Sequence, residues 1–451
     1  MRRAYLALTI ATSAAAAVSC SSSNAAPQAE LDAGDDDGGT VSPSPVVEDA
    51  GIDVIHRDPP PFDGGPRPVE CATTRCAKAL VTTFGASASD FGEGYCVLAS
   101  DGTVACWGAN GAGQLGRGAG VIDDGPTAAR VPGVANIRQL DHTCALDGDG
   151  AVWCWGTGPH LAGGTGAITT DRAAVKLPLE SATAIGIGPI VGCAVVDGSV
   201  SCWGRNMYGQ LAPLTQASKD DVFAPKLVEL PPGAPVRSVV VSDAVFALRE
   251  DGTVVTWGAN PPLARVSSLF PDPYPTPAAL AGVSSLSSSY ESACVTVSGV
   301  GYWWGAVPER FDEYWLDEDA PRIDRALPEA VSAPEPLVRI DTTRALVTRG
   351  LSTLEVVPQR WCAVGASGDV YCWGYNQSGQ AGDGTKANVL KDPVKVRGLP
   401  APAVDVKTLP TSTCALLATG KVYCWGANYY GQLGSGQYKV PSLVPLEVVL
   451  P

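Results

Sequence analysis

The chain has 451 residues, and its 51 glycines and 37 prolines suit many short strands joined by tight turns rather than long helices. Its formal net charge is −15: residues 1–20 contribute +2, residues 21–70 contribute −9 and the rest −8. An acidic globular part is a poor electrostatic match for phosphate backbones, which argues against nucleic acid as a partner.

The first element is a leader. MRR supplies a basic start, and AYLALTIATSAAAAV (4–18) is an uncharged apolar run too short for a membrane span. It ends in Ala17-Val18-Ser19-Cys20, which resembles a bacterial lipoprotein signal, although Ala17 stands where that pattern usually has Leu. The resemblance implies cleavage before Cys20 and its acylation, giving a membrane anchor, a lipidated cell-envelope location and residues 1–20 as signal. The competing reading is cleavage near Asn24-Ala25-Ala26, which discards Cys20 and leaves a secreted protein. Residues 21–70 are rich in Ser, Asp, Gly and Pro and poor in aromatics, so they read as an acidic linker. Asp32, Asp35, Asp36 and Asp37 lack the ligand spacing and closing Glu of a calcium loop.

From there one motif recurs seven times. Trp-Gly pairs stand at Trp107, Trp155, Trp203, Trp257, Trp304, Trp373 and Trp425, each preceded by two alternating apolar runs around a Gly-containing turn. That pattern predicts an antiparallel hairpin. Four copies continue into Asn-x-x-Gly-Gln, and a Val-rich strand leads to the next copy. About fifty residues with four short strands is one propeller blade, so 71–451 is expected to be all-β: a seven-bladed β-propeller with four-stranded antiparallel blades. The long interval between Trp304 and Trp373 predicts an insertion near 306–335. SLVPLEVVL (442–450) is expected to be one more strand that completes a terminal blade beside the strand near Ala79–Phe84.

The cysteines lie symmetrically about the turns: Cys96 and Cys106, Cys144 and Cys154, Cys193 and Cys202, Cys362 and Cys372, Cys414 and Cys424. Residues equidistant from a hairpin turn face each other across the ladder, so these five couples are expected as disulfides, with Cys71–Cys76 a sixth. Zinc sites use closer pairs that converge, and export to an oxidising compartment agrees with disulfides. One copy has Phe246 and Thr256 at the two positions. Another sets Trp303 against Cys294, leaving Cys294 as an odd, buried thiol.

The hairpins CVLASDGTVACWGANGAGQLG (96–116) and CALLATGKVYCWGANYYGQLG (414–434) resemble the regulator of chromosome condensation repeat family almost position for position. The resemblance covers roughly 79–450 and implies the same seven-bladed propeller. Its members include an exchange factor for a small GTPase, a secreted β-lactamase inhibitor and many partner-holding modules, so the family alone does not transfer an activity.

No catalytic, cofactor or metal constellation stands out. His56, His142 and His160 form no triad or metal spacing, and His142 is expected to be structural. The recurrent Gly-Gln residues read as turn formers. FDEYWLDED (311–319) is the most distinctive segment outside the repeat, and Phe311, Tyr314 and Trp315 are candidate contacts for a protein or a glycan. The expected role is an exported, non-enzymatic binding scaffold. The alternatives are an inhibitor of an extracellular enzyme, a guanyl-nucleotide exchange factor by family analogy, or an enzyme acting on envelope polymers.

Overall fold

Each Trp-Gly copy folds as a hairpin whose register follows from its turn. Cys96 stands opposite Cys106, Cys144 opposite Cys154, Cys193 opposite Cys202, Cys362 opposite Cys372, and Cys414 opposite Cys424. All five couples are disulfide-bonded, their Cα atoms 4.0–4.1 Å apart, and Cys71 is bonded to Cys76. The computed structural model describes residues 62, 64–72, 76–83, 92–158, 169–289, 292–308, 322–349 and 353–451; at 306–308, 322–324, 344–349, 353–359, 390 and 391 only the backbone is described.

Seven four-stranded antiparallel sheets follow one another along the chain, each made of four consecutive strands. They are the blades of an all-β propeller. The innermost strands are Ala77–Thr83, Ile137–Asp141, Ala184–Ile187, Val236–Val241, Val283–Ser289, Leu337–Arg349 and Ala403–Thr408. The outermost strands are Gly125–Arg130, Thr169–Lys176, Val222–Leu227, Asp272–Ala281, Arg322–Ala330, Val389–Lys395 and Ser442–Glu447. The Gly of every Trp-Gly pair has φ between 92° and 114°, and a Cβ on Gly108 would stand 2.5 Å from the backbone at Glu93 and Gly94. Only glycine fits there.

The core sits between blades and explains the repeat. Trp155 of blade 2 is buried against the Cys96–Cys106 couple of blade 1, and Trp107 of blade 1 against Cys414–Cys424 of blade 7. Where the couple is missing, bulk replaces it. Phe246 of blade 4 meets Trp304 of blade 5 edge to face at 6.3 Å, and Trp303, opposite Cys294, meets Trp361 of blade 6 at 5.1 Å. Cys294 is a buried free thiol.

The Asn-x-x-Gly-Gln segment latches one blade to the next. Its Gln carbonyl accepts the indole N–H of the following blade: Gln114 from Trp155 (2.9 Å), Gln210 from Trp257 (2.9 Å), Gln380 from Trp425 (2.9 Å) and Gln432 from Trp107 (3.0 Å). The Asn carbonyl oxygen ties the loop by accepting from the residue five positions on, as Asn206 does from Leu211 N at 3.0 Å. The indole N–H groups of Trp107, Trp155, Trp257 and Trp425 are thereby satisfied.

The sequence expectation for closure is corrected. Ser442–Glu447 pairs with Val422–Gly426 inside blade 7 rather than beside the first strand. Every blade is contiguous in sequence, and among the described residues no strand is left over to share. The ring closes through side chains and loops instead. Val448 and Leu450 join Leu80 and Tyr95 in one core cluster, Thr411 N and Ser412 Oγ donate to the Glu93 carboxylate at 2.7 and 2.6 Å, and Ala77 N donates to Gly420 O at 2.9 Å. Of the expected insertion, Arg322–Ala330 is the outer strand of blade 5, paired with Val300–Pro308, and blade 6 takes up further length in a hairpin of two 13-residue strands.

Candidate functional site

The seven innermost strands line an axial cavity of about 430 Å³. Its middle is a ring that can be read from the hairpin register. Val81, Asp141, Gly186, Val240, Ser287, Asp341 and Lys407 pair with Cys96, Cys144, Cys193, Phe246, Cys294, Cys362 and Cys414 respectively. Three of the seven are charged. Lys407 Nζ stands 3.8 Å from Asp341 Oδ1 and 3.7 Å from Asp405 Oδ2. Asp341 Oδ2 also accepts from Thr408 N (2.7 Å) and Thr408 Oγ1 (2.8 Å), which joins blades 6 and 7. Asp141 Oδ2 accepts from Ile187 N at 2.8 Å, joining blades 2 and 3. His142 Nδ1 donates to Thr82 O at 3.1 Å.

Desolvation dominates the electrostatics. Burial pushes the Asp141 carboxyl up to about 6 against the partial relief of the Ile187 N–H and Lys407, and raises Glu93 and Asp405 above the usual carboxylate range. Burial also pulls His142 down to about 4, so its ring is neutral at neutral pH. For Lys407 burial acts downward, but Asp405 and Asp341 outweigh it and hold the ammonium above its ordinary value. The Lys407 side chain, 27 % exposed, meets the channel space, so its charge is only partly solvated.

Asp141 makes stability depend on pH in a definite sense. Between the ordinary 3.8 and about 6 the unfolded carboxyl is ionised while the folded one keeps its proton. Stability therefore falls as pH rises through that window, by at most about 3 kcal/mol. Asp141→Asn removes this contribution and keeps an acceptor for Ile187 N. Denaturant unfolding should show the variant gaining on the wild type by that amount between pH 4 and pH 7; a constant difference would contradict the account.

The channel reaches the segments that join first to second strands at Glu93, His142 and Ser242, and blade 6 lines it with Thr343, inside its long first strand. Antiparallel order puts the loops joining third to fourth strands at the same end. Of sixteen exposed large apolar side chains among the described residues, nine lie in those loops. Val121 and Ile122 belong to blade 1, Leu214 to blade 3, Val266, Leu269 and Phe270 to blade 4, and Tyr429, Tyr438 and Val440 to blade 7. Val266 is 78 % exposed, Phe270 73 %, Tyr429 65 % and Ile122 64 %. The turns between second and third strands, at the opposite end, hold none and carry Asp101, Asp149, Asp197 and Asp251 instead. Apolar side chains gathered at one end mark a contact surface.

Cys20, His56, His160, Phe311, Tyr314 and Trp315 lie outside the described residues; the segment holding the last three runs between Pro308 and Arg322, which pair with each other. His142 lines the channel. The recurrent Gly-Gln residues are the blade latches described above. Among the described residues no group of three His, Cys, Asp or Glu is placed to hold a metal ion, and no helix is long and apolar enough to cross a membrane. Sequence reasoning missed Asp141, Asp341 and Lys407, because their distances to the hairpin cysteines they face differ from blade to blade and only the strand register brings them level. It also missed the exposed loop residues, because exposure follows from the ring and not from the local pattern.

Comparison with known proteins bears on this architecture. Two sequence signatures described as the regulator of chromosome condensation (RCC1) repeat match, one at 140–160 and 411–432, the other at 197–245 and 367–416. The ultraviolet-B receptor UVR8 of Arabidopsis thaliana is 26 % identical over 262 residues, which cover 56 % of this chain and 54 % of UVR8. The human E3 ubiquitin-protein ligase HERC2 is 25 % identical over 274 residues, 55 % of this chain but 5 % of HERC2. The chain thus spans about half the length of one relative and a small part of the other. Among solved structures, yeast RCC1 (Prp20) bound to Kap60 superposes with a TM-score of 0.59 at 19 % identity, covering 77 % of this chain and 84 % of that one. Human WBSCR16 gives 0.58 at 16 %, covering 78 % and 94 %. At these identities the structural likeness concerns the fold.

Proposed function

The chain belongs to the regulator of chromosome condensation repeat family, and from that premise we propose that it is a non-enzymatic protein-binding scaffold, exported and held at a membrane surface through acylated Cys20. The observation that carries the binding role is the gathering of exposed apolar side chains in the loops around the channel mouth, opposite an end studded with aspartates. Interface centres are poor in charge and rich in aromatic and large apolar groups, and Phe270, Tyr429 and Tyr438 are of that kind. The solved structure of yeast RCC1 with Kap60 shows a propeller of this family engaging another protein. Anchoring rests on the leader and on Cys20, and an oxidising location suits six disulfides.

The test uses the mature chain from Cys20 onward as bait on cell-envelope extract. One partner should be enriched by the wild type and by Asp149→Ser on the opposite end, and be lost with Phe270→Ser or Tyr429→Ser. No enrichment under varied salt, or enrichment indifferent to the loop substitutions, would overturn the reading.

A further inference from the structure

Blade 4 has neither cysteine of the hairpin couple, and the residue in place of the second one ties down its outer loop. Thr256, buried opposite Phe246, donates its hydroxyl to Leu263 O (2.8 Å) and accepts from Arg265 Nε (3.3 Å). The Arg265 guanidinium also donates to Asp272 Oδ2 (2.7 Å), Thr256 O (3.2 Å) and Tyr274 O (3.3 Å), which clips the loop to the third and fourth strands at once. Asp272 Oδ2 accepts from Ser267 Oγ as well (2.7 Å), and Ser267 Oγ accepts from Leu269 N (3.1 Å). From the other side Asn260 Nδ2 donates to Ser267 O (3.3 Å) and Leu269 O (2.8 Å). The two charges are spent inside the clip, the side chains of Arg265 and Asp272 being 11 % and 5 % exposed. Residues 266–270, between them, read Val-Ser-Ser-Leu-Phe, with no charge and with Val266, Leu269 and Phe270 exposed. The seam of blades 7 and 1 differs, because exposed Asp123 and Lys439 share its loops with Ile122 and Tyr438.

We propose that Arg265, with Asp272 and Ser267, is the positioning group of the partner surface: it holds Val266, Leu269 and Phe270 as a preformed, charge-free tip that enters an uncharged apolar cleft on the partner protein. This rests on the scaffold reading and adds which loop carries the affinity and what the partner must offer. A free loop has to be ordered on binding, at a cost in affinity for each side chain immobilised, whereas a clipped loop is ordered before the partner arrives. Interface centres are depleted of charge, so a tip whose flanking charges are paired and buried suits the centre, while Asp123 and Lys439 suit a polar rim. An aromatic ring flanked by two aliphatic side chains is buried by a cleft lined with carbon better than by a flat or charged surface.

Two readouts on the mature chain test it. In the free chain, Arg265→Met and Ser267→Ala should each quicken amide exchange over residues 265–274 by about tenfold or more and leave the other blades as they were. With the partner captured from envelope extract, each should weaken binding about tenfold, the cost of ordering one or two freed side chains, although Val266, Leu269 and Phe270 are all still present. Coupling separates positioning from general destabilisation: Phe270→Ser should cost much less in Arg265→Met than in the wild type, while Tyr429→Ser should cost the same in both. Ser267→Ala keeps the ion pair and carries the test should Arg265→Met fail to fold. Unchanged exchange, unweakened capture by both variants, or a cost of Phe270→Ser that simply adds would overturn this inference and leave the scaffold reading standing. A wild type that captures no protein would overturn both, and Phe270-dependent binding to protein-free phosphatidylcholine vesicles would then assign the tip to a lipid surface.

Discussion

Replacing one hairpin couple, Cys96→Ala with Cys106→Ala, is expected to lower unfolding free energy by about 2–4 kcal/mol. Each of the five links closes a loop of ten or eleven residues, for which the chain-entropy estimate is about 3 kcal/mol. A second contribution has the same sign, because the couple is the surface on which Trp155 of the next blade packs, so two alanines leave a void there. The effect should be local. Hydrogen exchange in the double variant should quicken in blades 1 and 2 and stay near wild type in blades 4 and 5, where Phe246 and Trp303 already do the filling. Cys294→Ala is the control and should cost no more than about 1 kcal/mol, since it removes a buried sulfur without breaking a link. A double variant as stable as the wild type would mean the couples are not bonded as described.

Removal of residues 442–451 is expected to be more damaging still. The cut takes away the outer strand of blade 7 together with Val448 and Leu450, which are buried against blade 1. Two aliphatic side chains lost from a core cost about 2–4 kcal/mol each, and the Val422–Gly426 strand is left with an open edge. The seam between blades 7 and 1 would then hold mainly through Glu93, Tyr95 and the indole of Trp107. The truncated chain should lose cooperative unfolding or melt far below the full chain. An unchanged melting temperature would show that closure lies elsewhere.

The repeat was legible because it is written in recurrent residues: a tryptophan that packs on the preceding blade, a glycine with positive φ, and in five blades cysteines set symmetrically about a turn. Closure was misread for a physical reason. A tail rich in Val and Leu looks the same whether it completes its own blade or a neighbour's, and only the count of strands before the first hairpin decides. The channel charges were hidden in short inner strands, where Asp141 and Lys407 alternate with apolar residues as any half-buried strand does. Their meaning appears only when seven such positions are brought to one level around an axis. The apolar loops were hidden for the opposite reason: Val266 and Phe270 read as ordinary hydrophobics until the ring leaves them facing water.

The central claim is that the loop end of the propeller, and not the aspartate-rich end, meets the partner. Hydroxyl-radical footprinting of the mature chain with and without its captured partner tests this directly. The account predicts protection of Ile122, Phe270, Tyr429 and Tyr438 with unchanged labelling of the turns that hold Asp101, Asp149 and Asp251. Protection confined to those turns, with the loop aromatics labelled as in the free chain, would contradict it.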